Sequence, residues 1–335
     1  MHPALQGLIT IIVGVGGCVG YFYFSNQILD KVLFPASGPY AGRNINRAGM
    51  IRPWLFLLPA VLALGLYLAY PVVETLRLSL TERQPGGGSI FVGLENYQQM
   101  FSEPKFWEAL KNNMLWLLVV PALSTGFGLL AAQLTDRIKW GNIAKSLIFM
   151  PMAISFVGAA VIWKLVYDTR PVDQDQIGVM NALYLFFGGT EPKTWLTMPL
   201  WNNFFLMAVL VWIQTGFAMV ILSAALRGIP EETIEAAILD GANPFQVFFK
   251  IKMPQISGTI VVVWTTITIV VLKVFDIVFA MTNGQWETQV LANYMFDKLF
   301  RANDWGVGSA SAMIIMLLVT PILVWNVRNA RKEMR

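Results

Sequence analysis

The stretch Glu231 to Pro254, EETIEAAILDGANPFQVFFKIKMP, decides how the rest of the chain is read. It interrupts an apolar second half, and its punctuation predicts a short helix, a glycine hinge and a second short helix. Pro230 suits a first helical position, because it lacks the N–H that would have no partner there. Glu231, Glu232 and Glu235 favour the positive end of a helix dipole. Asp240-Gly241 permits a turn, since glycine tolerates positive φ. Asn243 can cap the second helix, with Pro244 at its first position. Phe245, Phe248 and Phe249 then lie along one side, Lys250 and Lys252 suit the C-terminal end, and Pro254 ends the helix. Two readings follow: a loop that packs on its own bundle, or a knob that docks on another protein as a helix in a groove.

Outward from this stretch, composition sets the class. The chain has 335 residues, 56% hydrophobic and 13% charged, with a mean hydropathy of +0.57. That is too apolar for an ordinary soluble domain. One cysteine, Cys18, excludes an intrachain disulfide. One histidine, His2, leaves neither a His/Cys metal cluster nor a Ser-His-Asp triad. No phosphate-cradling G-x-x-x-x-G-K-[ST] run occurs either. The net charge of +4 sits in loops between apolar runs, so membrane topology explains it better than nucleic acid does.

Apolar runs of about 20 residues mark membrane spans. They fall at 4–24, 53–73, 113–134, 146–167, 202–226, 257–281 and 306–327. The first run lacks the basic start and cleavage site of a signal peptide. Residues 25–52 read as a polar connector and Pro85-Gly86-Gly87-Gly88 as a turn. The loops 25–52, 135–145 and 227–256 and the tail 328–335 share one side under an alternating topology. They hold 14 of the 24 basic residues and 7 of the 20 acidic ones. The excess of Lys and Arg makes that side cytoplasmic. The C-terminus is then inside and the N-terminus outside.

Ionisable groups within spans are costly and functional by default. Lys273 and Asp276 stand at i, i+3 in the sixth run, so a continuous helix would let them meet on one face. They read as a mutual ion pair, as lining of a path, or as both. Ser155 in the fourth run, Gln214 and Thr215 in the fifth, and Thr265, Thr266 and Thr268 in the sixth add polar groups. Trp163, Trp212, Phe217 and Trp264 add flat apolar faces. Hydroxyl-matching groups beside aromatic faces suit a carbohydrate. The plainer reading is that membrane threonines bond their own backbone and tryptophans mark interfaces.

Glu235-Ala236-Ala237, Gly241-Ala242 and then Phe248 to Pro254 resemble the EAA loop of ABC-importer membrane subunits, with Met253 where leucine is commoner. The resemblance covers roughly residues 52 to 330 and points to permeases of carbohydrate importers fed by a binding protein. It implies an all-α membrane fold of about seven helices: a type I (MetI-like) permease core over 53–335, its ATPase-docking loop at 227–256, and an extra N-terminal helix and cytoplasmic connector over 1–52. It further implies a bacterial plasma (inner) membrane location, no catalytic role for this chain, and ATP with Mg bound by partner ATPase subunits. The implied partners are a second permease, two ATP-binding subunits, and a periplasmic or lipid-anchored substrate-binding protein. Glu235, Ala236, Ala237, Gly241, Ala242, Phe245, Phe248 and Pro254 become the ATPase-docking residues. In the larger permease of maltose importers, which the chain resembles, sugar lies between the helices corresponding to the fourth, fifth and sixth runs. Ser155, Trp212, Gln214, Phe217, Thr268, Lys273 and Asp276 are then the candidate path. That permease is Asn-rich in its sixth helix, where this chain has Val270, Val271, Lys273 and Val274. The departure implies a different glycoside, such as an α-glucoside or a compatible solute like glucosylglycerol. After the sixth run Thr282-Asn283-Gly284 matches the family, but Gln285-Trp286 replaces its usual Gly-Pro. An ion-coupled secondary transporter is the alternative, with Lys273 and Asp276 as its sole candidate relay; a non-transporting membrane anchor is another.

Overall fold

The computed structural model describes residues 3–84, 86–136 and 138–333. Among the described residues, five helices are long and apolar enough to cross a membrane, and two further pairs of helices pass that test together despite a sharp bend. The seven expected spans are therefore recognisable, although not all are straight. His2 and Pro85 lie outside the described residues.

The chain divides into two compact units, Met1–Glu74 and Thr75–Arg335. In the first, helix Pro3–Ile28 continues as a wide π turn to Leu33, and a second helix begins at Ala41. The expected polar connector is thus mostly helical, and only residues 34–40 link the two helices. Tyr21 donates to the Leu55 carbonyl at 2.9 Å, Phe22 stacks on Phe56, and Arg52 reaches Asp30 at 2.6 Å.

The second unit is organised around the fifth span, Trp201–Arg227. Leu206, Met207, Leu210, Met219 and Leu222 are buried, packed with Trp116 and Val120 of the third span and Ile267 of the sixth. Glycine permits the closest approaches. A Cβ on Gly128 would stand 2.4 Å from the Ala218 Cβ, and one on Gly216 would stand 2.7 Å from the Ile148 carbonyl oxygen. The third span, Pro104–Thr135, and the seventh, Trp305–Glu333, flank this core. Thr81–Arg83 and Ser89–Phe91 form a small antiparallel hairpin, pairing Thr81 with Phe91. The all-helical expectation omitted it.

Two spans are broken. The fourth consists of Gly141–Ala153 and Phe156–Val166, bent by 105°. Pro151 cannot donate to a helical ladder and clashes with the preceding turn. Ser155 then restarts the helix, its hydroxyl accepting the Gly158 N–H at 3.1 Å. The sixth span ends at Leu272, and a new short helix begins at Asp276. Lys273 and Phe275 have left helical geometry, with φ/ψ of −113°/25° and −140°/−60°. The i, i+3 argument for a Lys273–Asp276 pair fails for that reason. Lys273 is exposed, and no ion pair joins it to Asp276 among the described residues. Phe275 is held instead by rings, 4.9 Å from Phe279 and 5.3 Å from Phe296.

Candidate functional site

The 231–255 segment forms the two expected helices. Glu231–Leu239 is the first, with Pro230 at the preceding cap position rather than inside it. Gly241 follows with φ of 84°. The Ala242 N–H bonds back to the Ala237 carbonyl at 3.0 Å and the Gly241 N–H to that of Ile238 at 3.0 Å. This paired closure satisfies carbonyls left open at a helix end and requires a left-handed residue, hence glycine. Asn243 starts the second helix: its side chain accepts from the Gln246 N–H at 2.9 Å, and the Gln246 side chain accepts from the Asn243 N–H at 2.8 Å. A π turn over Val247–Lys252 carries the helix past Pro254 to Gln255. The stop is therefore at Ile256, where the chain bends by 71° into the sixth span.

The helix pair has two faces. Ala237 and Val247 are buried, and Ile234, Phe248 and Met253 pack against the main core. Leu239, Phe245, Phe249 and Ile238 point outward, Leu239 88% and Phe245 77% exposed. Glu235, Ala236, Gly241 and Pro254 are exposed too, and Ala242 is half-buried. Phe248 thus faces its own bundle, while Phe249 joins Phe245 outside. Packing on the bundle and offering an apolar surface are both properties of this one segment.

Ionic contacts hold the spans that lead to it. Lys145 pairs with Asp136 and donates to the Ser223 hydroxyl at 2.7 Å, while Ser223 donates to Asp136 at 3.1 Å. The ends of the third and fifth spans and the start of the fourth are joined there. Arg137, between the third and fourth, lies outside the described residues.

A cavity of about 390 Å³ lies between the two broken spans. Ser155, Gln214 and Asp276 line it, together with Ile213 and Phe156. Ser155 sits at the break in the fourth span and Asp276 at the break in the sixth. Gln214 lies halfway along the unbroken fifth. An amide, a hydroxyl and a carboxyl group thus converge with both donors and acceptors. Breaking two helices places polar side chains and helix ends at one level, where backbone can be irregular because it borders a cavity.

The other candidate path residues are elsewhere. Trp212 lines a separate, larger cavity of about 630 Å³ with Val119, Phe204, Met207 and Thr215. Phe217 packs against the core. Thr268 is buried and donates to the Trp264 carbonyl at 2.8 Å, while Thr265, Thr266 and Thr215 likewise bond carbonyls four residues back. The plain reading of these threonines is the observed one. No group of acidic, His or Cys side chains able to hold a metal occurs among the described residues.

Sequence reading missed four buried asparagines, Asn112, Asn113, Asn202 and Asn203, which hold the backbone after the sixth span. Their signal is visible in retrospect as two Asn-Asn doublets near the heads of apolar runs. Glu103 lies nearby, 2.5 Å from Lys298 and accepting from the Tyr294 hydroxyl at 2.8 Å. Burial first, then Glu103, pushes the Tyr294 phenol well above its ordinary range.

Known proteins agree with this architecture. The family model described as "Binding-protein-dependent transport system inner membrane component" matches residues 124–333. An α-glucoside transport system permease of Rhizobium meliloti (strain 1021) is 62% identical over 99% of this chain and 99% of its own length. An osmoprotective compounds uptake permease of Synechocystis sp. is 46% identical over 83% of this chain and 99% of its own. Among solved structures, a bacterial alginate ABC transporter, crystallised with its alginate pentasaccharide-bound periplasmic protein, contains a chain with the same fold. The TM-score is 0.73 at 18% identity, over 88% of this chain and 99% of that one. The chain therefore belongs to the family of binding-protein-dependent transport system inner membrane components, as a multi-pass permease of the ABC-importer class.

Proposed function

We propose that this chain forms part of the membrane path for an uncharged glycoside, an α-glucoside or a glucosylated compatible solute, in a bacterial plasma-membrane importer. The observation that carries the reading is the cavity lined by Ser155, Gln214 and Asp276 between the two broken spans. Its donors and acceptors match sugar hydroxyls, and the permeases with 62% and 46% identity are named for α-glucosides and osmoprotective compounds. Residues 53–335 act as the permease core and residues 1–52 as an added helix with its connector.

Transport is driven from outside the chain. Two ATP-binding subunits, carrying ATP and Mg, sit on the cytoplasmic side with the C-terminus, and the N-terminus is periplasmic. A second permease completes the path, and a periplasmic or lipid-anchored binding protein delivers substrate. Glu235 to Pro254 seats in a cleft of one ATPase subunit. Phe245 enters a pocket as an apolar anchor and Glu235 contributes a polar contact at the cleft wall. Phe248, Ala237 and Val247 connect that knob to the fifth and sixth spans, so closure of the ATPase dimer rocks the broken spans about the cavity. Gly241 holds the angle between the two small helices, and Ala236 and Ala242 keep their contact surface flat.

Co-purification in mild detergent, from cells expressing the chain with its neighbouring transporter genes, tests the docking. The native chain retains an ATPase subunit, and a Phe245→Asp chain of equal yield loses it. Equal retention by both would overturn the assignment of the 231–254 knob.

A further inference from the structure

The turn after the sixth span holds three non-glycine residues at positive φ within five positions: Asn283 at 53°, Trp286 at 54° and Glu287 at 61°. Indole and carboxylate side chains rarely adopt this backbone, so the surroundings must impose it. They do so through side chains far away in sequence. Asn202 donates to the Trp286 carbonyl at 2.5 Å, and Asn203 to the Glu287 carbonyl at 3.2 Å. Asn112 donates to the carbonyls of Glu287 and Gln289 at 2.9 and 2.8 Å. Below the tip, Thr282 and Thr288 share a hydrogen bond of 2.7 Å.

The result is a rigid base with an open tip. Thr282, Gly284, Thr288 and Gln289 are buried, whereas Gln285, Trp286 and Glu287 are exposed. Among the described residues, no intramolecular hydrogen bond or ion pair engages the side chains of these three. Asn202 and Asn203 stand at the head of the fifth span, and the 231–255 helix pair follows its foot. A 27-residue helix separates the two by about 40 Å. The tip is therefore at the end of the unit remote from the ATPase-docking segment.

We propose that Gln285, Trp286 and Glu287 form a glycoside-binding tip at the outer mouth, with Trp286 stacking on a sugar ring as substrate enters. The indole offers a flat apolar face for the C–H side of a pyranose, and the amide and carboxylate beside it can donate to and accept from its hydroxyls. A protein-docking role fits less well. Three residues cover only a fraction of the roughly 800 Å² that each partner of a stable interface contributes. Fixing the backbone in advance lowers the ordering cost of holding a small ligand. This proposal rests on the glycoside reading above.

The test uses the complete transporter in proteoliposomes, with its binding protein loaded with radiolabelled methyl α-D-glucopyranoside. Initial uptake is measured against binding-protein concentration for the native chain, Trp286→Phe and Trp286→Leu. The expected result is a maximal rate about tenfold lower for Trp286→Leu and at least half-restored in Trp286→Phe. The half-saturating concentration of binding protein stays within twofold. Native uptake by Trp286→Leu would overturn the tip alone. A raised half-saturation with an unchanged maximum would overturn it in favour of a contact with the binding protein. No uptake of the probe by the native transporter would overturn the underlying glycoside reading, and the tip with it.

Discussion

Two of the turns that use left-handed backbone reach it by opposite means. At Asp240-Gly241 a single glycine takes φ of 84°, closed by hydrogen bonds from residues within five positions. A Cβ there would meet nothing within 4 Å, so its only cost would be the backbone conformation. At Trp286–Glu287 the left-handed residues carry full side chains, and asparagines 84 to 175 positions away hold them. The first turn is local and cheap, in a helix pair proposed to fit another subunit. The second is imposed by the tertiary structure and presents a rigid tip.

The difference is sharpest if the imposed turn is cut from its supports. Asn112→Leu takes the Asn112 amide from the Gln289 carbonyl and leaves the Glu287 carbonyl with the Asn203 amide alone, a buried polar group costing about 1–3 kcal/mol when it loses its partner. We expect a loss of roughly 2–4 kcal/mol, read as a lower thermal midpoint of the purified chain in detergent. Asn112→Asp keeps the size but offers the carbonyls only acceptors, and should be at least as damaging. If Asp were tolerated while Leu was not, shape rather than hydrogen bonding would hold the turn.

Gly241→Val comes next, with backbone strain of about 1–2 kcal/mol. Because the site is open, its thermal midpoint should fall much less than that of Asn112→Leu. Its ATP-driven uptake should nevertheless fall by an order of magnitude or more, because the angle between the helices changes. Gly241→Asn, which tolerates the left-handed region, should retain most uptake. A fully active Gly241→Val would remove the hinge from the account.

The smallest effects concern the break in the sixth span. Asp276→Asn should lower uptake severalfold, since Asp276 lines the cavity. Lys273→Met should change it less than twofold, because Lys273 is exposed and unpaired with Asp276. Were the two a functional ion pair, both variants would be equally harmful and the double variant would recover.

What could be read from the sequence follows the same division. The 231–255 helix pair was legible within a residue or two, since Pro244, Gly241, Asn243 and the run of glutamates act on their own backbone. Seven apolar runs were legible because a bilayer demands length and apolarity. The fourth-span break was obscured by apolar neighbours: Pro151 lies between two methionines in an otherwise hydrophobic run. The sixth-span break carries no proline or glycine at all. Lys273, Val274 and Phe275 leave the helix with Phe275 packed on Phe279 and Phe296, a contact that no local pattern announces. Gln285-Trp286 looked only like a departure from a familiar turn, because the amides that shape it come from the third and fifth spans. For the cavity, residue types were legible but not grouping. Ser155, Gln214 and Asp276 meet, whereas Trp212 lines another cavity and Thr268 bonds its own helix.

The central claim is that an ATPase docked at Glu235–Pro254 drives glycoside through this chain. The most direct measurement is uptake of radiolabelled methyl α-D-glucopyranoside by proteoliposomes holding the complete transporter, with loaded binding protein outside and ATP and Mg inside. The account predicts uptake that requires internal ATP, survives a protonophore and collapses in Phe245→Asp. Uptake that ignores ATP and disappears with the protonophore would contradict it.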